Sequence, residues 1–587
     1  MEENLVTLTI DGIETKAKKG TTILKAAKQI GIDIPTLCFL KDINEVGECR
    51  MCIVEVEGRR GFATSCIQKV EEGMVVHTNT SDILEARHMV LDLLLSNHVK
   101  ECLTCTRSGN CELQALTTRF NVQNIEYPGE MTKHEIDDKS PAIVRDFNKC
   151  VLCRRCVATC KKVQDIGAID CVNRGFESCI STTYNNSLND VDCTFCGQCI
   201  ESCPTGALHE KEYINDVWAK LRDPETYVIV QTAPAIRAAL GEEFGMPIGT
   251  NTKGKMITAL KRIGFDKVFD TNTGADFTIM EEATEFVERV TNGGVLPMIT
   301  SCSPGWVRFA EKNYGELLDH LSSCKSPHQM FGAVIKSYFA DKYGIDRNKI
   351  CTVSIMPCIA KKYECNRPEM EVDGVKDVDY VLTTRELARM IKQANIDFEN
   401  LGDSEFDDPM GEATGAGAIF GTTGGVMEAA IRTAADILEN RSVEKIEYTE
   451  VRGEKGIKTA TLNIAGKEIK IAVASGLANA RKLMEEIKNG TSPYHFIEIM
   501  ACPGGCVMGG GQPIKDSKTR ASVDVRKLRA DVLYSIDEKS IIRKSHENPA
   551  LKKIYAEYLG EPGGHLAHKY LHTHYTEKSK YDIDIET

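Results

Sequence analysis

Twenty-four cysteines are unevenly spread over 587 residues, 17 at or before Cys203 and only 7 after it. The early ones fall into closely spaced sets. Cys38, Cys49, Cys52 and Cys66 form the first, and His98, Cys102, Cys105 and Cys111 the second. Cys150-x2-Cys153-x2-Cys156-x3-Cys160 then recurs 43 residues later as Cys193-x2-Cys196-x2-Cys199-x3-Cys203, followed by Pro204. Clustered thiols either close disulfides or serve as soft metal ligands and redox groups. Disulfide-dense domains are small and secreted, whereas this chain is long and opens on Met-Glu-Glu-Asn with no signal-peptide pattern. The expected state is reduced thiol in the cytoplasm, where such clusters bind metal or move electrons.

Cys38, Cys49, Cys52 and Cys66 suit a two-iron, two-sulfur cluster, with Gly47, Gly58 and Gly61 letting backbone approach sulfur. Their spacing differs from the plant ferredoxin pattern, and a structural zinc is the alternative. The repeat at 150–203 matches the bacterial two-cluster ferredoxin run, in which the fourth cysteine of each motif serves the other cluster. One four-iron cluster then takes Cys150, Cys153, Cys156 and Cys203, and the other Cys193, Cys196, Cys199 and Cys160. His98 precedes three cysteines that lack a fourth, which reads as a four-iron cluster with one imidazole ligand or as a zinc site. One two-iron and three four-iron clusters make a wire, and a wire needs something at each end.

The elements that hold these sets are legible in outline. Val6, Leu8 and Ile10 alternate with Thr7 and Thr9 as a half-buried strand, and Asp11-Gly12 turns the chain into a second strand. Thr21 or Thr22 can cap a helix carrying Leu24, Ala27 and Ile30. Residues 81–97 read as a helix with an apolar stripe of Ile83, Met89, Leu91, Leu94 and Leu95. Beyond about residue 220, strands and helices alternate, an α/β texture in which Tyr227–Val230, Val268–Asp270 and Val353–Met356 read as buried strands. From about 515 the chain is charged and helical, a peripheral wrap. The net charge of −13 argues against a nucleic-acid partner, and no apolar run reaches the ~20 residues of a membrane span.

Three motifs stand out in the sparse half: Thr300-Ser301-Cys302-Ser303-Pro304-Gly305-Trp306, Met356-Pro357-Cys358-x2-Lys361-x2-Glu364, and Met500-Ala501-Cys502-Pro503-Gly504-Gly505-Cys506. Cysteines among Met, Pro and Gly suggest a cluster in a dry pocket, and a helical turn would put Cys502 and Cys506 on one face. Glu282, Glu285 and Arg289 share one face of a helix expected over Asp276–Val290. Gly415–Gly421 lacks the spacing of a dinucleotide loop and reads as close backbone packing. Cys171, Cys179, Cys324, Cys351 and Cys365 fit no ligand pattern, and buried structural thiols are the default.

These motifs resemble the signatures of the iron-iron (FeFe-type) hydrogenases, over nearly the whole chain, and residues 1–210 resemble the start of the large peripheral-arm subunit of respiratory complex I. The resemblance implies an H-cluster, a four-iron cluster joined through one cysteine to a two-iron unit with carbonyl, cyanide and a dithiolate amine. Cys358, Cys502 and Cys506 would ligate its four-iron part, Cys506 also bridging to the two-iron unit. Lys361 and the backbone at Pro234 and Ala235 would hold the cyanides, and Met356, Phe420 and Met500 would pack around them. Protons would pass Cys302, Glu282, Ser322, Glu285 and Arg289. The family's first motif has two adjacent cysteines where this chain has Cys302 and Ser303. Counting from Glu282 puts Ser303 at the ligand position, so the serine oxygen binds iron, Cys302 shifts to do so, or that iron has another ligand.

The expected fold is therefore multidomain, mixing α/β and α+β. It comprises a β-grasp ferredoxin-like domain (1–80), a small four-iron cluster domain with one histidine and three cysteine ligands (81–125), a two-cluster ferredoxin domain (140–210) and a two-lobed α/β hydrogenase domain with the H-cluster between its lobes (220–512). A helical, small-subunit-like wrap (513–587) completes it. The expected activity is reversible H2 oxidation and proton reduction, with electrons leaving along the wire. The chain shows no flavin or NAD(P) site of its own. The expected partners are thus a flavin- and NAD(P)-binding subunit and a small two-iron subunit, with ferredoxin a further carrier if the enzyme is electron-bifurcating. A hydrogen sensor and a non-catalytic complex I-like subunit are the alternatives.

Overall fold

The computed structural model describes residues 4–127, 131–410, 413–443, 447–452 and 456–581. The threonine-spaced apolar residues form the strand Leu5–Ile10, which turns at Asp11-Gly12 into Ile13–Lys18 with Ile10 opposite Ile13. Leu5–Ile10 also pairs in parallel with Val75–His77, and Ile53–Val56 and Ala63–Thr64 complete a five-stranded sheet. The helix Ile23–Gln29 packs on this sheet and starts at Thr22, whose hydroxyl accepts the Lys25 N–H. Cys52 and Cys66 lie in the resulting core.

The helix Ser81–Ser96 buries Ile83, Leu91 and Leu95, but Met89 of the expected stripe is exposed while Arg87 and Asp92 are buried. The helix bridges a seam that supplies polar partners. Arg87 donates to the carbonyls of Ile53 (2.7 Å) and Thr78 (3.0 Å), and Asp92 accepts the Glu126 N–H at 2.9 Å.

The cysteine repeat is a structural repeat as well. Leu152 and Phe195, 43 residues apart, both take positive φ, as do Arg154 and Gly197. This curl turns the Leu152 and Phe195 amides onto the Cys150 and Cys193 sulfurs, at 3.4 Å in each case. Short helices, Arg155–Ala158 and Gln198–Ser202, follow, joined where the Thr159 and Ser202 hydroxyls meet at 2.8 Å.

From residue 227 the chain forms two four-stranded sheets. In the first, Lys267–Asp270, Tyr227–Thr232, Ile350–Met356 and Tyr380–Thr383 are all parallel. In the second, Met298–Ile299, Phe496–Met500 and Lys467–Ser475 are parallel, with Ile457–Ile464 antiparallel at the edge. The chain leaves Asp270 directly into the helix Thr271–Asn292, capped by the Asp270 carboxylate on the Asn272 N–H. Ligand sites of parallel sheets form beyond the carboxyl ends of the strands, and those ends are where the three late motifs begin.

The segment after 515 is helical, as expected, but it is less peripheral than its charge suggests. Leu551, Ile554, Leu559, Ala567 and Leu571 are buried in one core with Phe277, Met330 and Phe331. Arg529 is also buried, paired through Nε with Glu242 at 2.7 Å. At this position a charge is satisfied by a partner in the core rather than by solvent. Among the described residues no helix is long and apolar enough to cross a membrane.

Candidate active site

Strand Tyr227–Thr232 ends in Ala233-Pro234, Ile350–Met356 in Pro357-Cys358, Met298–Ile299 in Thr300–Ser303, and Phe496–Met500 in Ala501-Cys502. These four ends from the two sheets enclose one cavity of about 80 Å³. Its walls include Cys302, Ser303, Cys358, Cys502 and Cys506, with Lys361, Pro234, Met356, Phe420 and Met500 around them. Ala235 is not in the wall; its carbonyl accepts the Gln512 Nε2–H at 3.1 Å and its methyl packs with Val507 and Leu533. Cys502 and Cys506 meet at the cavity through tight turns, not on a helical face as expected. Gly504 and Gly505 both have φ of +90°, a region closed to most side chains. A methyl group on Gly505 would come within 2.7 Å of the Thr423 nitrogen.

The thiols divide by direction. Cys502 feels the fields of Cys358 and Cys506, whereas Cys302 feels those of Glu282 and Cys506. Burial pushes all four up, so each thiolate needs compensating positive charge. The neighbouring Ser303 accepts the Ala501 N–H at 3.3 Å through Oγ. Three thiols, Cys358, Cys502 and Cys506, and the Ser303 hydroxyl thus line one cavity, a set chemically suited to iron and sulfide with one hard donor.

Lys361 donates to the Cys302 carbonyl at 3.2 Å and to Glu364 at 2.7 Å. Glu364 also bonds His328, which lines the cavity and meets Ser354 through Nδ1 at 3.1 Å. Burial and the Lys361 ammonium push His328 down to about 4. Burial opposes ionisation of Glu364, but Lys361 and His328 hold it down at about 2. The expected site residues omitted His328 and Glu364. Glu364 stands three residues after Lys361 within its motif, a signal of contact across one helical turn, whereas nothing in the sequence marks His328.

Beside Cys302 the long helix carries Glu282, fully buried, with neither carboxyl oxygen hydrogen-bonded. Burial and the Glu285 charge push it up to about 8. Ser322 donates to Glu285 at 2.8 Å, and Arg289 to the same carboxylate at 2.6 Å. Glu285 and Arg289 each retain 15% side-chain exposure, so the outer end of this row reaches solvent.

The early cysteines gather as well. Cys52 and Cys66 sulfurs lie 3.2 Å apart, and the Cys38 N–H meets the Cys49 sulfur at 3.3 Å. Cys150, Cys153, Cys156 and Cys203 line one cavity of about 30 Å³, and Cys160, Cys193, Cys196 and Cys199 another. Cys196 also lines the main cavity, because Gly305 leaves only a hydrogen between it and Ala501. Asn44 Nδ2 donates to the carbonyls of Cys38 (2.8 Å) and Cys153 (3.0 Å), and Arg107 donates to that of Cys203 at 3.0 Å. His98 is buried with Nδ1 unpartnered, Cys105 and Cys111 are half-buried, and Cys102 is exposed.

Comparison with known proteins matches residues 226–510 to the iron only hydrogenase large subunit, C-terminal domain, and 523–578 to the iron hydrogenase small subunit. Residues 3–81 match a 2Fe-2S iron-sulfur cluster binding domain. Residues 87–126 match the NADH-ubiquinone oxidoreductase-G iron-sulfur binding region, and 140–209 the ferredoxin-like domain of NADH-quinone oxidoreductase subunit 3. The NADP-reducing hydrogenase subunit HndD of Solidesulfovibrio fructosivorans is 49% identical over 98% of this chain and 100% of its own. Iron hydrogenase 1 of Clostridium pasteurianum is 47% identical over 97% and 99%. A variant of the FeFe-hydrogenase HydA1 from Chlamydomonas reinhardtii superposes with a TM-score of 0.57 at 40% identity, covering 63% of this chain and 100% of that one.

Proposed function

The chain belongs to the iron-only hydrogenase family, and on that premise we propose how its residues divide the work of reversible H2 oxidation and proton reduction. The observation that carries the reading is a single cavity. It gathers Cys358, Cys502, Cys506 and Ser303, and its walls also include Lys361, Cys302 and Cys196 of the ferredoxin-like repeat. The donors fit the four-iron part of an H-cluster, with Ser303 Oγ at the fourth position and Cys506 on the side toward Cys302 and Lys361. When bound, that group supplies the two-electron chemistry of H2.

The protein's own residues handle charge. Half-buried Cys302, whose surroundings favour its protonated form, stands next to Glu282, whose acid is raised to about 8 by burial and the Glu285 charge. Such a carboxyl can turn between Cys302 and Ser322, whose hydroxyl is already bonded to Glu285. Arg289 pairs with Glu285 at the surface end. Lys361, fixed by Glu364, presents an ammonium to anionic ligands in a dry pocket.

Cys160, Cys193, Cys196 and Cys199 would hold one four-iron cluster and Cys150, Cys153, Cys156 and Cys203 another, and together these groups would supply a one-electron path away from the cavity that Cys196 also lines. Cys38, Cys49, Cys52 and Cys66 would hold the two-iron cluster, tied by Asn44 to the Cys153 carbonyl, and His98, Cys102, Cys105 and Cys111 would hold the remaining one, near which Arg107 bonds the Cys203 carbonyl. The domain boundaries near 80, 125, 210 and 512 and the count of one two-iron and three four-iron clusters belong to this reading. So do a cytoplasmic setting and a flavin- and NAD(P)-binding partner subunit with a small two-iron subunit. The name of the similar HndD points to NADP. Anaerobic co-purification after maturation, followed by infrared spectroscopy and H2-dependent NAD(P) reduction, tests it. Absence of CO and CN bands with no H2 turnover would sink the catalytic assignment, and reduction of ferredoxin alone by a lone chain would sink the partner assignment.

A further inference from the structure

Glu285 carries a second hydrogen-bonded branch that the route above does not use. Ser323 donates to Glu285 Oε2 from its backbone at 3.1 Å, and its hydroxyl lies 3.4 Å from the same oxygen. That hydroxyl meets His572 Nδ1 at 2.8 Å, and His572 Nε2 meets Glu281 Oε2 at 2.9 Å. Glu281 is fixed in turn by the Tyr555 hydroxyl and by the Gly563 N–H at 2.8 Å. The branch belongs to the C-terminal segment. Cys324 and His572 form an antiparallel bridge, with Lys325 N–H donating to Leu571 and Thr573 N–H to Ser323. The imidazole retains 7% side-chain exposure and lies 4.1 Å between centroids, tilted by 37°, from the ring of His568, which is exposed.

We propose that His572 is a second proton donor and acceptor to Glu285, working through Ser323 while Glu281 holds its other ring nitrogen. An imidazolium bonded to Glu281 through Nε2 and to Ser323 through Nδ1 releases its Nδ1 proton to Ser323 Oγ. The Ser323 hydroxyl proton passes to Glu285, leaving neutral imidazole on Glu281 and a protonated Glu285; no electron moves and no other reactant is needed. The reverse order carries a proton outward. The groups facing His572 are Glu281, Ser323, Cys324 and His568, with Glu285 and its Arg289 partner behind Ser323. Imidazole is the side chain suited to changing charge near neutrality, and Glu281 gives its charged form a direct partner. His572 touches no reacting atom, so it acts as a relay and positioning residue.

This inference rests on the reading that Glu285 lies on the proton route. The test uses anaerobically matured holoenzyme and compares His572→Asn, Ser323→Ala and Glu285→Gln, with intact CO and CN bands as the check on assembly. His572→Asn is expected to lower H2 evolution about 3- to 10-fold, to alter the shape of its pH profile and to leave KM for H2 unchanged. Added imidazole is expected to restore most of the rate, and Ser323→Ala to match the loss without being rescued. A His572→Asn enzyme with the parental rate and pH profile, beside a slow Glu285→Gln enzyme, overturns the branch alone. A slow His572→Asn enzyme with a parental profile and no imidazole rescue also overturns it, as a structural effect. A Glu285→Gln enzyme at the parental rate overturns the underlying route.

Discussion

Ser322 Oγ donates to the Glu285 carboxylate at 2.8 Å, which ties the segment after the 3-10 turn Gly315–His320 to the helix Thr271–Asn292. This bond joins two segments that meet only in the fold, at the point where buried carboxyl gives way to solvent-accessible carboxylate. Positioned proton transfer contributes roughly 10²–10⁴-fold to a rate. Ser322→Ala is therefore expected to cut H2 turnover about 100-fold while the CO and CN infrared bands remain. Retention of more than half the activity would remove Ser322 from the route.

Glu282 is expected to reveal itself in stability as well as in rate. Its acid is raised from 4.5 to about 8, so the folded chain holds a proton that the unfolded chain releases. Stability from this group is full below about pH 4.5 and declines as pH rises toward 8. Glu282→Gln, neutral throughout, should flatten that decline in anaerobic denaturant titrations of the cluster-free chain. An unchanged slope over this range would refute the assignment.

Ser303 offers iron a hard oxygen where its three companions offer sulfur. Oxygen favours oxidised iron, so Ser303→Cys is expected to raise the reduction potential of the four-iron cluster and to make its iron sites more alike by Mössbauer spectroscopy. The comparison needs only the four-iron cluster, reconstituted without the two-iron unit. Identical potentials and spectra in both proteins would place the fourth ligand elsewhere.

Glu364 holds Lys361 and His328 together in a buried site. Removing one partner of a buried charge pair costs about 3–5 kcal/mol. Glu364→Gln should lower the denaturation midpoint of the cluster-free chain by a corresponding amount. A change below about 1 kcal/mol would show that Lys361 finds another partner.

The cysteine sets were legible because ligand spacing is a local property: two residues between sulfurs suffice for a backbone curl to bring them to one centre. Leu152 and Phe195 show that curl at positions the repeat itself relates. Alternating threonines likewise marked the first strand. Met89 and the segment after 515 were misjudged for the opposite reason. Whether a polar or apolar side chain is buried depends on what another element presents, as Ile53 and Thr78 do to Arg87.

By itself the sequence determined the chemistry on offer: which thiols, which acids, and a serine where the resemblance leads one to expect a cysteine. Only the tertiary structure decided direction and adjacency. Cys302 lies in the field of Glu282, while its neighbour Ser303, at the start of the helix Pro304–Asn313, accepts the Ala501 N–H. Cys196 meets the main cavity, Asn44 joins the Cys38 and Cys153 carbonyls, Arg107 reaches the Cys203 carbonyl, His328 joins Lys361 through Glu364, and His572 reaches Glu285 through Ser323. Each of these joins residues far apart in the chain. Contacts of that kind arise from packing between sheets, helices and the C-terminal segment, for which no local spacing codes.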